Sequence, residues 1–294
     1  MPYSLVLHCV SPSGTVAPED RQGQKALALF LEELIQKQDA ALAMRLHAPR
    51  NAKPFTTAIL PRARMDREPR ARAATEYTGS RQTVPQAGEM QIRITLLDDS
   101  LYPRVSQFFL QHLDGVPLLR LGRSVLAVSR VMTTPESGEP WASFARFDAL
   151  LASASEHDTA WHIQFVTPTV FKTGEADMPL PIPRLCFQSW LNSWDEHAPL
   201  PFFQDKVMRR AFLADVVEWG VSVTYDQIRL VPAALYFDGA RAREQGFVGT
   251  CRFTVKPSRV EPAYRKILAT LAAYSYYAGT GRKTTMGMGL TRRL

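Results

Sequence analysis

The sequence predicts an α+β protein of two tandem ferredoxin-like units, each with the β-α-β-β-α-β order of an RRM-like domain. Three observations lead there. Apolar positions switch along the chain between a spacing of two and a spacing of three to four. The element order that results occurs twice, without a strict sequence repeat. A length of 294 residues favours about two cores. The expected division is residues 1–140 for the first unit, 141–157 for a linker region and 158–294 for the second.

Leu5–Val10 reads as the first strand, closed by the turn formers Ser-Pro-Ser-Gly at 11–14. Ala26, Leu27, Phe30, Leu31, Leu34 and Ile35 mark one face of a helix over 23–46, renewed at Ala41, Leu42 and Met44 after a break near Gln38–Asp39. Pro49 ends that pattern, and Lys53–Leu60 is the second strand. The Arg-, Pro- and Gly-rich stretch 61–87 reads as a long exposed loop. Met90–Leu97 alternates as a strand, Tyr102–Leu113 has helical spacing and Leu118–Val131 is a further strand. After turn formers and one short helical piece at 133–157, the order restarts. Trp161–Phe171 is a strand, Pro183–Trp194 a helix, 221–237 strand-rich, Phe247–Val255 a strand and Pro262–Ala278 a helix before a glycine-rich loop and a last short strand. This fold carries many functions, so it names none.

Composition excludes several classes. With 46% hydrophobic and 21% charged residues the chain is neither disordered nor collagenous. The longest apolar run, Ala26–Leu31, is far below the ~18 residues that span a bilayer. Residues 1–20 lack a basic segment followed by a long apolar core, so no signal peptide is expected. Cys9, Cys186 and Cys251 are odd in number and far apart, a pattern that fits a reducing cytoplasm rather than a disulfide framework or a zinc half-site. The net charge of +7 is unevenly placed: residues 241–294 hold 11 Lys/Arg against Glu244 and Glu261, a net of +9. That asymmetry suggests a polyanion partner, nucleic acid before membrane.

Gly279-Thr-Gly-Arg-Lys-Thr-Thr-Met-Gly-Met-Gly289 is the strongest local feature. Gly279, Gly281, Gly287 and Gly289 let backbone approach a phosphate, Arg282 and Lys283 supply charge, and Thr284 and Thr285 supply hydroxyl donors. A P-loop does not fit, because the segment follows a helix and only eleven residues remain after Lys283. A Rossmann reading fails in the same way. A helix-capping glycine plus tail is the plainer alternative, but four glycines in eleven residues exceed what a cap needs.

The second feature is His47 with Lys53. A histidine at a helix end can exchange a proton near neutrality, and a lysine leading the next strand can offset charge on the same phosphate. A histidine at a helix C-terminus also serves simply to oppose the helix dipole. His8, His112 and His162 fall inside strand or helix patterns, and His157 and His197 in polar surroundings that suggest solvation. None has a second ligand at metal spacing, and the paired acids Asp98-Asp99 and Asp195-Glu196 do not converge on one face. The arginines at 62, 64, 67, 70, 72 and 81 suit single-stranded nucleic acid or a solvated loop. Trp161, Trp190, Trp194, Tyr274, Tyr276 and Tyr277 could stack on bases, though their spacing favours the core.

Taken together, these residues resemble a known family. Gly246-Phe-Val-Gly249, an alternating strand, a helix and Tyr277-Ala-Gly through Gly289 look like the CRISPR repeat-RNA processing endoribonucleases of the RAMP superfamily. Phe165-Val-Thr-Pro-Thr-Val-Phe-Lys172 resembles the strand that opens that family's second ferredoxin-like unit, and Leu46-His47 through Lys53-Pro-Phe-Thr56 its catalytic segment. The resemblance implies cleavage of precursor CRISPR RNA within each repeat, without metal or cofactor, by 2′-hydroxyl attack that leaves a 2′,3′-cyclic phosphate. It implies His47 as general acid or base, Lys53 beside the scissile phosphate, and RNA contact by Lys172 and the glycine-rich loop. Residues 23–46 lack the tyrosine that some members use as a third group, which leaves that group unassigned, with a tyrosine near the loop such as Tyr276 as one candidate. Repeat RNA is the implied partner, with effector-complex subunits as further candidates and monomer or homodimer both open. The rival readings are a non-catalytic subunit that binds guide RNA on the same fold and a metal-dependent nuclease.

Overall fold

The computed structural model describes residues 1–48, 52–61, 88–112, 115–237 and 240–294; the arginine-rich loop lies outside them. In the first sheet, β1 (Tyr3–Val10) is central, with β2 (Phe55–Ile59), β3 (Glu89–Leu96), β4 (Leu118–Leu121) and β5 (Ser124–Met132) in the order β2-β3-β1-β5-β4. The antiparallel register sets Leu5 against Ile94 and Leu7 against Ile92, so alternate apolar residues share one face. That face is covered by α1 (Gly23–Ala28, continuing as a π-helical stretch Leu29–Gln36) and α3 (Tyr102–Leu110) through Phe30, Leu34, Val105 and Phe108. The expected break near Gln38–Asp39 is real: the Asp39 carboxylate accepts the Leu42 N–H at 2.8 Å and caps α2 (Ala40–His47). The strand expected over Leu118–Val131 is instead the β4–β5 hairpin. Gly122 turns it at φ 62°, where Asp20 accepts hydrogen bonds from the Arg123 and Ser124 N–H groups, both at 3.0 Å.

Residues 141–157 are woven into both halves. β6 (Ser143–Phe144) pairs with β1, while Phe147 and Leu150 of α4 (Phe147–Ser153) enter the second core. The second sheet runs β10-β11-β7-β12, from β7 (Ala160–Thr169), β10 (Val221–Phe237), β11 (Ala240–Val255) and β12 (Thr291–Arg293). This is the ferredoxin-like order expected for the second unit. A small hairpin, β8 (Phe171–Thr173) with β9 (Ala176–Met178), follows β7. Trp161, Phe165 and Phe253 pack beneath α5 (Pro183–His197) and α7 (Pro262–Ala278). α6 (Lys206–Ala211), extended by a π-helical Phe212–Glu218, is an element the periodicity did not predict; it adds Phe212 and Val217 to that core. Trp161, Trp190 and Tyr274 are wholly buried, so they serve packing and not base stacking. Burial also pushes the Cys9 and Cys251 thiols up to about 12. No helix among the described residues is long and apolar enough to cross a membrane.

The two sheets meet around Arg93. Its register partner on β1 is Val6, which places it on the face away from α1 and α3. It is 1% exposed. Its Nε donates to Ser4 Oγ at 2.8 Å and its Nη2 to the Tyr276 carbonyl at 2.6 Å, near the C-terminus of α7. The guanidinium lies 5.0 Å from the Trp141 ring centre and 4.4 Å from that of Tyr276, and the two rings stack. Burial lowers the Arg93 pKa from its ordinary value. Arg93→Met leaves those oxygens without a donor and is expected to cost about 2–3 kcal/mol, measured as a lower denaturant midpoint. Arg93→Lys is expected not to recover it, because an ammonium cannot reproduce the planar fork.

Candidate catalytic groove

Ala43 and Leu46 turn α2 onto the first core, and helical spacing then leaves Met44 and His47 facing outward. His47 is the last helical residue, where backbone carbonyls lack intrahelical partners. Lys53 supplies them. Its ammonium donates to the carbonyls of Leu46 at 2.8 Å, His47 at 3.1 Å and Ala48, a favourable site for a cation at a helix end. The two residues singled out for chemistry are therefore together, but the lysine grips the His47 main chain from behind.

A groove of about 620 Å³ opens beside His47 between α1 and α2, lined also by Lys25, Leu31, Gln36, Met44 and Met286. Met286 belongs to the glycine-rich loop, from a position 239 residues downstream of His47. The loop reaches this place by three contacts. Thr57 Oγ1 on β2 donates to the Thr285 carbonyl at 2.7 Å. Gly287, at φ 84°, lies so close to Gly23 at the start of α1 that a Cβ on it would sit 2.5 Å from the Gly23 Cα. A Cβ on Gly23 would in turn meet the Met286 carbonyl at 2.4 Å. Glycine on both sides is the condition for this approach.

The rest of the loop folds back on its own unit. The N–H of Thr280 donates to the Gly289 carbonyl at 2.8 Å, that of Gly281 to Ser189 Oγ at 2.9 Å and that of Arg282 to the Val170 carbonyl at 3.0 Å. Gly279, Gly281 and Gly289 all have positive φ. These amides are thus used internally rather than turned toward an anion. Thr284 is half-buried and Thr285 buried. Lys283, itself at φ 60°, pairs with Glu244, and Arg282 pairs with Asp177 at 2.9 Å. Lys172 is exposed on β8, 4.0 Å from Glu175. Among the residues lining the groove, Met286 alone comes from the loop.

Two residues read differently in three dimensions. Tyr276 is committed to the interface, its ring against Trp141 and Arg93 and its hydroxyl donating to the Pro140 carbonyl at 3.2 Å; burial raises its pKa. His197 is not solvated as its polar neighbours suggested. It is half-buried at the end of α5, and its Nε2 donates to the Lys53 carbonyl at 3.1 Å. The helix expected over Pro183–Trp194 runs three residues further and takes in His197; the target of His197, 144 positions away, was not legible.

Family models account for both halves of the chain: the CRISPR Cas6 N-terminal domain matches residues 1–152 and the CRISPR-associated endoribonuclease Cas6 model residues 163–291. The chain belongs to the Cas6 family. A Cas6 endoribonuclease of Mycobacterium tuberculosis is 30% identical over 157 residues, covering 52% of this chain and 43% of its own length. One from Streptococcus thermophilus is 28% identical over 140 residues, covering 47% and 51%. The chain spans about half the length of the curated relatives it matches. Among solved structures, a Cas6 product complex superposes with a TM-score of 0.76 at 27% identity, covering all of both chains. Thermus thermophilus Cas6 follows at 0.70 and 26%, covering all of this chain and 98% of its own. His47 and the glycine-rich loop thus fall one in each matched Cas6 segment. Gly287→Ala is expected to destabilise the protein by about 1–3 kcal/mol and to raise protease cutting within 279–289, followed by mass spectrometry; an unchanged pattern would show that the approach to Gly23 does not hold the loop.

Proposed function

We propose that this protein is an endoribonuclease that cuts precursor CRISPR RNA within its repeats to release guide RNAs. The observation that carries the reading is an exposed His47 at the rim of a groove that Met286 of the glycine-rich loop completes. Membership of a family described as CRISPR-associated endoribonucleases supports it. In the proposed reaction a ribose 2′-oxygen attacks the adjacent phosphorus while the bond to the 5′-oxygen breaks. The products are a 2′,3′-cyclic phosphate and a 5′-hydroxyl. One proton leaves the 2′-hydroxyl and one reaches the 5′-oxygen; His47 carries one of these transfers. Lys53, seated on the His47 carbonyl, fixes the histidine and adds positive potential near the phosphate. No step requires a metal. Arg282, Lys283 and Lys172 contact the RNA backbone, exchanging their present carboxylate partners for phosphates.

Two measurements test this. A labelled repeat RNA incubated with the protein in EDTA is expected to be cut, and His47→Ala to slow the cut by about 10²–10⁴-fold while RNA still binds. Tight binding without cleavage would indicate a non-catalytic guide-RNA subunit, and activity restored only by Mg²⁺ a metal-dependent nuclease. Neutralising Arg282 and Lys283 together is expected to reduce the slope of log affinity against log salt by about 1.4, the value for two single-strand phosphate contacts. An unchanged slope removes both from the RNA interface.

A further inference from the structure

We infer that His197 is a positioning residue for cleavage, setting the place of His47 from the other half of the molecule; this rests on the reading of His47 as a proton-transfer group. The chain of contacts is short. α5 is fixed in the second core by Phe187, Trp190, Leu191 and Trp194, and His197 is its final residue. Its Nε2–H donates to the Lys53 carbonyl at 3.1 Å. The next residue is Pro54, which restricts Lys53 to extended backbone and so ties the direction of its carbonyl to that of its side chain. The Pro54 carbonyl is itself held by the Leu97 N–H at 2.8 Å, at the end of β3. From this fixed backbone the Lys53 side chain reaches the last carbonyls of α2, including that of His47 at 3.1 Å.

The consequence is that the catalytic histidine is registered against both units at once. The glycine-rich loop that completes the groove belongs to the same unit as α5, so a shift between the units moves the loop and the His197 anchor together. His47 follows through Lys53. Such registration matters because a displacement of about 1 Å in a reacting group costs about 10²-fold in rate.

The test compares His197→Ala, His197→Gln, Lys53→Met and the His197→Ala/Lys53→Met double variant, with His47→Ala as reference. Single-turnover cleavage is followed at saturating repeat RNA, RNA Kd is measured separately, and thermal melting verifies folding. His197→Ala is expected to slow cleavage by about 10-fold or more while Kd changes by less than about 3-fold. His197→Gln, whose amide can donate to the same carbonyl, is expected to recover most of the rate. The double variant should be no slower than Lys53→Met, because both act through one chain of contacts. Wild-type cleavage by His197→Ala beside an inactive His47→Ala overturns the positioning role alone. So does failure of His197→Gln to rescue, or a double variant whose loss is the product of the single losses. Wild-type cleavage by His47→Ala overturns the reading of the site, and this inference with it.

Discussion

Arg93 places a positive charge between two sheets, where water does not reach it. A cation in that position is tolerable only if its hydrogen-bonding and electrostatic needs are met on the spot. Here they are met by the Ser4 hydroxyl, the Tyr276 carbonyl and the faces of Trp141 and Tyr276. Three of these groups lie outside the first sheet, so the charge is satisfied only when the second half has docked. The Tyr276 carbonyl also sits at the C-terminal end of α7, where the helix dipole favours a cation. Since Gly279 follows two residues after Tyr277, pinning the end of α7 fixes where the glycine-rich loop begins. The groove beside His47 depends on that origin.

Within the loop, the glycines that the sequence offered for approach to a phosphate also build the local architecture. The glycines allow tight turns and close packing against Val170, Thr280 and Gly23, and most amides between 279 and 290 donate within the chain itself. Charge follows the same logic. Of the basic residues after 240, Arg265 donates to the carbonyls of Glu156, Pro257 and Val260, Arg293 pairs with Asp158, and Arg282 and Lys283 pair with Asp177 and Glu244. Arg252, Lys256 and Arg259 are exposed. Part of the local net of +9 is therefore paired within the protein itself in this structure.

Lys53 illustrates how spacing and role come apart. It lies six positions after His47, a spacing that suggested a shared phosphate. In the folded protein the Lys53 ammonium lies beneath the terminus of α2, on the carbonyls of Leu46, His47 and Ala48. Bound to these carbonyls, the lysine holds the imidazole-bearing residue still. The third anchor of this arrangement, His197, comes from the opposite unit.

The β-α-β-β-α-β order of each unit, the helix break before α2, and the nearness of Lys53 to the end of α2 were legible in the amino-acid sequence. They are governed by local rules: apolar periodicity, the Asp39 cap, and short separation along the chain. The β4–β5 hairpin was missed because one glycine inside an alternating run looks like strand until Asp20 is seen to clamp the turn. Tertiary structure alone decided the rest. It seated Arg93 on Tyr276, joined Lys283 to Glu244, set Met286 opposite His47, and gave His197 its carbonyl. Each of these joins groups tens to hundreds of positions apart, and Arg93 and His197 are received by backbone carbonyls that every residue carries. A residue's type advertises what it can donate; only the folded chain determines which of many identical carbonyls receives it.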